Sequence, residues 1–165
     1  MAKLKNLLFA TASLAISTLS LGALGPGGIE DSGGTAAPEL EGSWRVMVTL
    51  VGPGGPMQPF LTFSTFGRGG TFIESTQPGQ GPGHGVWRRT SGREFGLTFQ
   101  KLVFDANGNP AGSLKVREAL GLSANGGSYA GNGTAEIFDT SGNLVVSFCA
   151  KTQGTRIVVE PPSCP

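Results

Sequence analysis

The chain predicts an all-β fold: a single eight-stranded, possibly nine-stranded, antiparallel up-and-down meander barrel that follows a signal peptide and a flexible tether. Three observations carry that expectation. Runs with alternating apolar residues recur from residue 42 onward, each run is cut off by Gly, Pro or Asn-Gly turn chemistry, and no window after the leader has a helical period. The 28 Gly and 11 Pro lie between the apolar runs, which is how turns between short strands are distributed. A flat meander would expose two sheet edges, and closure removes both.

Residues 1–24 read as a signal peptide. Lys3 and Lys5 precede an uncharged, largely apolar run from Leu7 to Leu24, and the small residues Gly22 and Ala23 offer cleavage points ahead of Pro26. No Cys follows that run to accept a lipid anchor. Residues 25–40 are small, polar and rich in Pro and Gly, the composition of a disordered tether. The barrel is expected over 41–160 and a short tail over 161–165. Removing Lys3 and Lys5 from 12 basic and 11 acidic residues leaves a mature charge of −1. That near-neutral balance gives no footprint for nucleic acid or an anionic membrane surface, and no membrane span is expected in the mature form.

Taken in order, the first run is Gly42 to Val51, with Trp44, Val46, Val48 and Leu50 on one face. Gly52 to Pro56 reads as a loop. Pro59 to Phe66, rich in Phe and Thr, is the second run, and Gly67-Arg68-Gly69-Gly70 turns it into the third, Thr71 to Thr76. Pro78 to Gly83 is a long turn before His84 to Thr90. Glu94 to Asp105 is the fifth run, and Ala106-Asn107-Gly108-Asn109-Pro110 carries hairpin chemistry. Gly112 to Leu122 is the sixth. Ser128 to Phe138 is the seventh, with Gly131 and Gly133 suggesting a bulge or sharp bend. Leu144 to Thr152 is the eighth, and Thr155 to Glu160 either extends it past Gly154 or adds a ninth strand.

Gly42-Ser43-Trp44 resembles the G-x-W signature of lipocalins and the wider calycin group. The resemblance implies that Trp44 closes one barrel end and that Arg156, near the last strand, packs across its ring. The chain is shorter than a typical lipocalin and has neither a clear C-terminal helix nor a recognisable middle motif. Its Gly-rich hairpins more distantly resemble those of allene-oxide-cyclase-like barrels.

An eight-stranded barrel is either filled by side chains or just wide enough for one small ligand. Lys101 shares a face with Leu97 and Phe99, and Glu118 shares one with Val116 and Leu120. If these faces line the interior, a charge of each sign points inward and needs a partner. Lys101, Glu118 and Arg88, with Leu97, Phe99 and Val116, are therefore the candidate ligand-binding residues. The adjacent Arg88 and Arg89 must face opposite sides, with Trp87 on the Arg89 side.

Glu118 and His84, the only His, are the candidate proton-transfer groups. A single His makes a zinc site improbable, and no cofactor is expected. In an exported protein, Cys149 and Cys164 suggest one disulfide pinning the tail. The composite expectation is a secreted or periplasmic binding barrel for an apolar or amphipathic small molecule, as a monomer or small homo-oligomer. The alternatives are a barrel-type cyclase or isomerase, and a packed barrel acting through its loops as an envelope or inhibitor-like interaction protein.

Overall fold

Alternation in the first run becomes β1 (Gly42–Gly52), in which Trp44 and Val46 are buried while Arg45 and Met47 face out. The computed structural model describes residues 39–75 and 79–164. The signal peptide, nearly all of the tether, Thr76 and part of the long turn before His84 lie outside the described residues. After β1 come β2 (Gly55–Pro56), β3 (Phe60–Phe66), β4 (Thr71–Ser75), β5 (Gly83–Ser91), β6 (Glu94–Phe104), β7 (Pro110–Leu122), β8 (Ser128–Phe138) and β9 (Leu144–Arg156). No helix occurs among the described residues, so none is long and apolar enough to cross a membrane.

The long strands pair antiparallel in chain order, and β1 also pairs with β9, from Trp44 opposite Arg156 to Val51 opposite Cys149. That last pairing closes an eight-stranded barrel. The extra strand is β2, formed where a plain loop was expected. Val51 faces Pro56 and Gly52 faces Gly55, and Gly55 takes φ +101°, a conformation that other residues rarely adopt. The segment 155–160 forms no separate strand. β9 runs through Gly154 because the space of a side chain there is taken by the Tyr129 ring, so this glycine makes room without breaking the strand.

Two matching hairpins stand at one end of the barrel. Asp105 Oδ1 accepts hydrogen bonds from the backbone N–H groups of Asn107 and Asn109 at 2.8 and 2.9 Å. Asp139 Oδ1 does the same for Ser141 and Asn143 at 2.9 and 2.8 Å. Asp139 Oδ2 also accepts from the Asn143 side-chain amide at 3.0 Å, the main cause there, and together with the backbone bonds this holds both carboxyls below the usual carboxylate range. A register shift adjoins each turn, at Val103/Phe104 and at Ile137/Phe138. At Gly131 and Gly133, by contrast, the register with both neighbours is continuous. The bulge allowed there does not form, and the two glycines serve close side-chain approach instead.

The opposite end is closed by rings. Trp44 meets Tyr129 edge-on at 5.0 Å, Phe66 meets Phe72 at 5.0 Å and Trp87 at 5.9 Å, and Trp87 meets Phe95 at 5.8 Å. Leu40, placed in the tether from sequence, is wholly buried against this cluster. Its carbonyl accepts the Trp44 indole N–H at 3.0 Å. The Arg156 guanidinium lies 4.3 Å from the Trp44 ring centroid and donates to the carbonyls of Glu39, Glu41 and Gly126. Gly42, at φ +126°, leaves the space that Arg156 Nη1 needs; a Cβ there would stand 2.7 Å from that atom.

Both cysteines are free. The expected disulfide is therefore corrected: Cys149 points outward from β9, Cys164 is exposed in the tail, and the two thiols are not joined. Ile157 makes a backbone bond to the Ser43 carbonyl at 2.9 Å before the tail departs.

Candidate functional site

Above the ring cluster the interior is hollow. A cavity of about 320 Å³ runs toward the end that carries the Asp105 and Asp139 hairpins, with Val46, Phe72, Leu97, Phe99, Val116 and Phe148 among its apolar walls. Its charged lining residues lie at two separate stations, with Ser64, Gln80 and Tyr129 as further polar lining.

The first station is an ion pair. Lys101 Nζ on β6 donates to Glu74 Oε2 on β4 at 2.8 Å, and both side chains are almost fully buried. These residues do not sit on adjacent strands, since β5 runs between them. Gly83 of β5 lies in the same row, opposite Glu74, and its bare backbone leaves the path open. A Cβ there would stand 2.9 Å from Phe99 Cδ2 and 3.1 Å from Glu74 Oε2. Thr62 Oγ1 lies 3.0 Å from Glu74 Oε1 and 2.6 Å from the Ser75 carbonyl, its one hydrogen shared between them. Paired in this way, the two charges satisfy each other inside an apolar wall.

The second station is Glu118 on β7 with Thr152 on β9. They approach each other across β8, where Gly133 lies opposite Glu118 and Gly131 opposite Thr152. A Cβ on Gly131 would collide with Thr152 Oγ1 and come within 2.6 Å of Leu120. Glu118 Oε1 and Thr152 Oγ1 are both buried, and neither has a hydrogen-bond partner among the described residues. Burial raises the Glu118 carboxyl from 4.5 to about 7; the nearby Thr152 hydroxyl opposes the rise and the Glu74 charge adds to it. Thr152 is thus close enough to favour the carboxylate without standing in bonding geometry. Tyr129, also in the lining, has its phenol pushed upward by burial and then by the Glu118 and Glu74 charges.

Of the residues singled out from sequence, Leu97, Phe99, Lys101, Val116 and Glu118 line this cavity. Lys101 and Glu118 both face inward, but they belong to different stations. Lys101 is opposite Leu114 and Glu118 is opposite Leu97, two pleats further along the β6–β7 ladder. The partner that sequence reasoning missed is Glu74, and its signal was the alternation of Phe72 and Glu74 within a five-residue strand.

Arg88 does not join the interior group. It faces outward, while Trp87 and Arg89 turn in toward the ring cluster, with Arg89 4.6 Å over Phe95 and paired with Glu39 at 2.8 Å. His84 is exposed on the outer face of β5, between Ile73 and Gln100, and does not reach the cavity.

No protein-family model matches the chain, and no curated protein matches it. The class is therefore defined by fold and site: a closed antiparallel eight-stranded β-barrel, ring-packed at one end and hollow toward the other, with a half-buried acid in the hollow whose Oε1 is enclosed. That architecture is compatible with a lipocalin-like barrel.

Proposed function

We propose that the protein is an exported binding barrel that holds one small apolar or amphipathic molecule. The observation carrying this reading is the cavity itself. At about 320 Å³ it falls at the small end of ligand pockets, and its walls are chiefly apolar with a few convergent polar groups. Glu118 Oε1 and Thr152 Oγ1, buried and unbonded, supply the anchoring point such a molecule would use. Support for export comes from the leader, whose basic start, apolar stretch and small-residue end match a signal peptide. Trp44 and Arg156 support the lipocalin-like affiliation by standing together as that group's closing pair does.

The test is native mass spectrometry of the protein recovered from its own culture medium, followed by titration with an apolar fluorescent dye. A retained small-molecule mass, or saturable dye binding lost when Val116 is replaced by Trp, is the expected result. A bare protein mass together with no dye binding refutes the reading. One observation favours a second reading, the barrel-type isomerase or cyclase. A carboxyl raised to about 7 in a largely apolar pocket can both accept and return a proton near neutral pH. For that activity Glu118→Gln would abolish turnover and spare binding.

A further inference from the structure

The two polar stations are unequal, and the inequality says what kind of molecule fits. Among the described lining residues the ionisable side chains are Glu74 on β4, Lys101 on β6, Glu118 on β7 and Tyr129 on β8. Lys101 is the only cation, and it is already engaged by Glu74 at 2.8 Å. An anionic head such as a carboxylate would have to break that pair and leave Glu74 buried and alone. What the cavity lacks is a positive partner for the second carboxylate. Glu118 Oε1 is enclosed and has no hydrogen-bond donor among the described residues. Thr152 Oγ1 beside it is in the same condition and can accept a second hydrogen bond.

We propose that the cavity selects an apolar primary amine of about ten non-hydrogen atoms, its ammonium held between Glu118 Oε1 and Thr152 Oγ1. The size follows from the cavity volume of about 320 Å³ at roughly 30 Å³ for each group of water size. An ammonium supplies the missing charge and has three donors, enough to satisfy both orphan oxygens at once, whereas an alcohol has one. The alkyl body lies along Leu97, Phe99 and Val116 toward the open end. Binding also restores the charged form of Glu118, because a cation at hydrogen-bond distance offsets the desolvation that keeps the acid protonated. The inference rests on the binding reading above and narrows it to one ligand class.

Calorimetric titration of the purified full chain at pH 7.5 with octylamine, octanol and octanoate tests it. The expected result is octylamine binding about tenfold or more tighter than octanol, as a charge-assisted bond outranks a neutral one, and octanoate not binding. Glu118→Gln brings octylamine down to the level of octanol, and a native circular dichroism spectrum shows that the variant is folded. Thr152→Val lowers octylamine affinity by a smaller factor. Equal binding of octylamine and octanol, or tighter binding of octanoate, overturns the amine inference and leaves the binding barrel standing. An amine preference that survives Glu118→Gln also overturns it. Failure of all three compounds to bind overturns both.

Discussion

Replacing Glu118 with Gln should change how stability depends on pH, in a direction opposite to that of most carboxylates. An ordinary salt-bridged acid stabilises the fold as it ionises. Glu118 is instead kept protonated by burial, at about 7 against 4.5 when solvated. Below about pH 4.5 both the folded and unfolded chains hold the proton, and the native state bears no penalty. Between the two values the unfolded chain releases its proton while the folded chain keeps it, so stability falls as pH rises through this window. Above about pH 7 the full penalty is present. At about 1.4 kcal/mol for each tenfold change in the acid constant, the difference amounts to roughly 3 kcal/mol. Urea unfolding of the native protein and of Glu118→Gln at pH 4.5, 5.5, 6.5 and 7.5 isolates the effect, because titrating groups remote from Glu118 cancel in the difference. The native protein should lose roughly 3 kcal/mol relative to the variant across that range. A difference that stays flat, or that moves the other way, refutes the claim that Glu118 is buried without a charge partner.

Lys101→Met should cost about 3–5 kcal/mol, since it strands Glu74 in an apolar wall, and adding Glu74→Gln should recover most of the loss in the same urea assay. Recovery that fails would mean that packing rather than charge pairing decides the site. Arg156→Ala removes a ring contact and three bonds to carbonyls from residues 39, 41 and 126, and a loss of roughly 2–3 kcal/mol is expected by thermal unfolding. An unchanged melting curve would mean that the chain ends are not held by this side chain. Titration of the folded protein with a thiol reagent should count both Cys149 and Cys164 without denaturant, and modification of neither would restore the disulfide.

Much of the barrel was legible because alternation reports facing directly. Trp44 and Val46, and later Val116, Leu120 and Leu122, take the inward positions that their two-residue spacing assigns. Facing also settled that Arg88 and Arg89 diverge. The choice of Arg88 as the inward one was wrong: Trp87, packed beside Phe66 and Phe95, marks the face that turns in, and Arg89 shares it. The Lys101 partner was not legible for a geometric reason. Pairing across an intervening strand depends on a glycine in the right row, and Gly83 sits in a stretch whose Gly-Pro content reads only as turn. Local composition misled in the same way at Gly55-Pro56, where two residues pair with the end of β1. Leu40 carried no periodic signal at all, being a single apolar residue at the end of a polar stretch.

Because β1 is stitched to β9 and Arg156 reaches back to residues 39 and 41, the first barrel strand to be synthesised waits for the last. The closing contact spans more than a hundred residues, a separation that slows folding and places the decisive step late. Until residue 156 has emerged, one edge of β1 has no partner and the Trp44 ring has no guanidinium over it. A nascent chain that stops short in β9 therefore presents an open, apolar sheet edge, the kind of edge that seeds aggregation. Under the export reading proposed above, such a delay is useful: the barrel cannot close before residue 156 has been made.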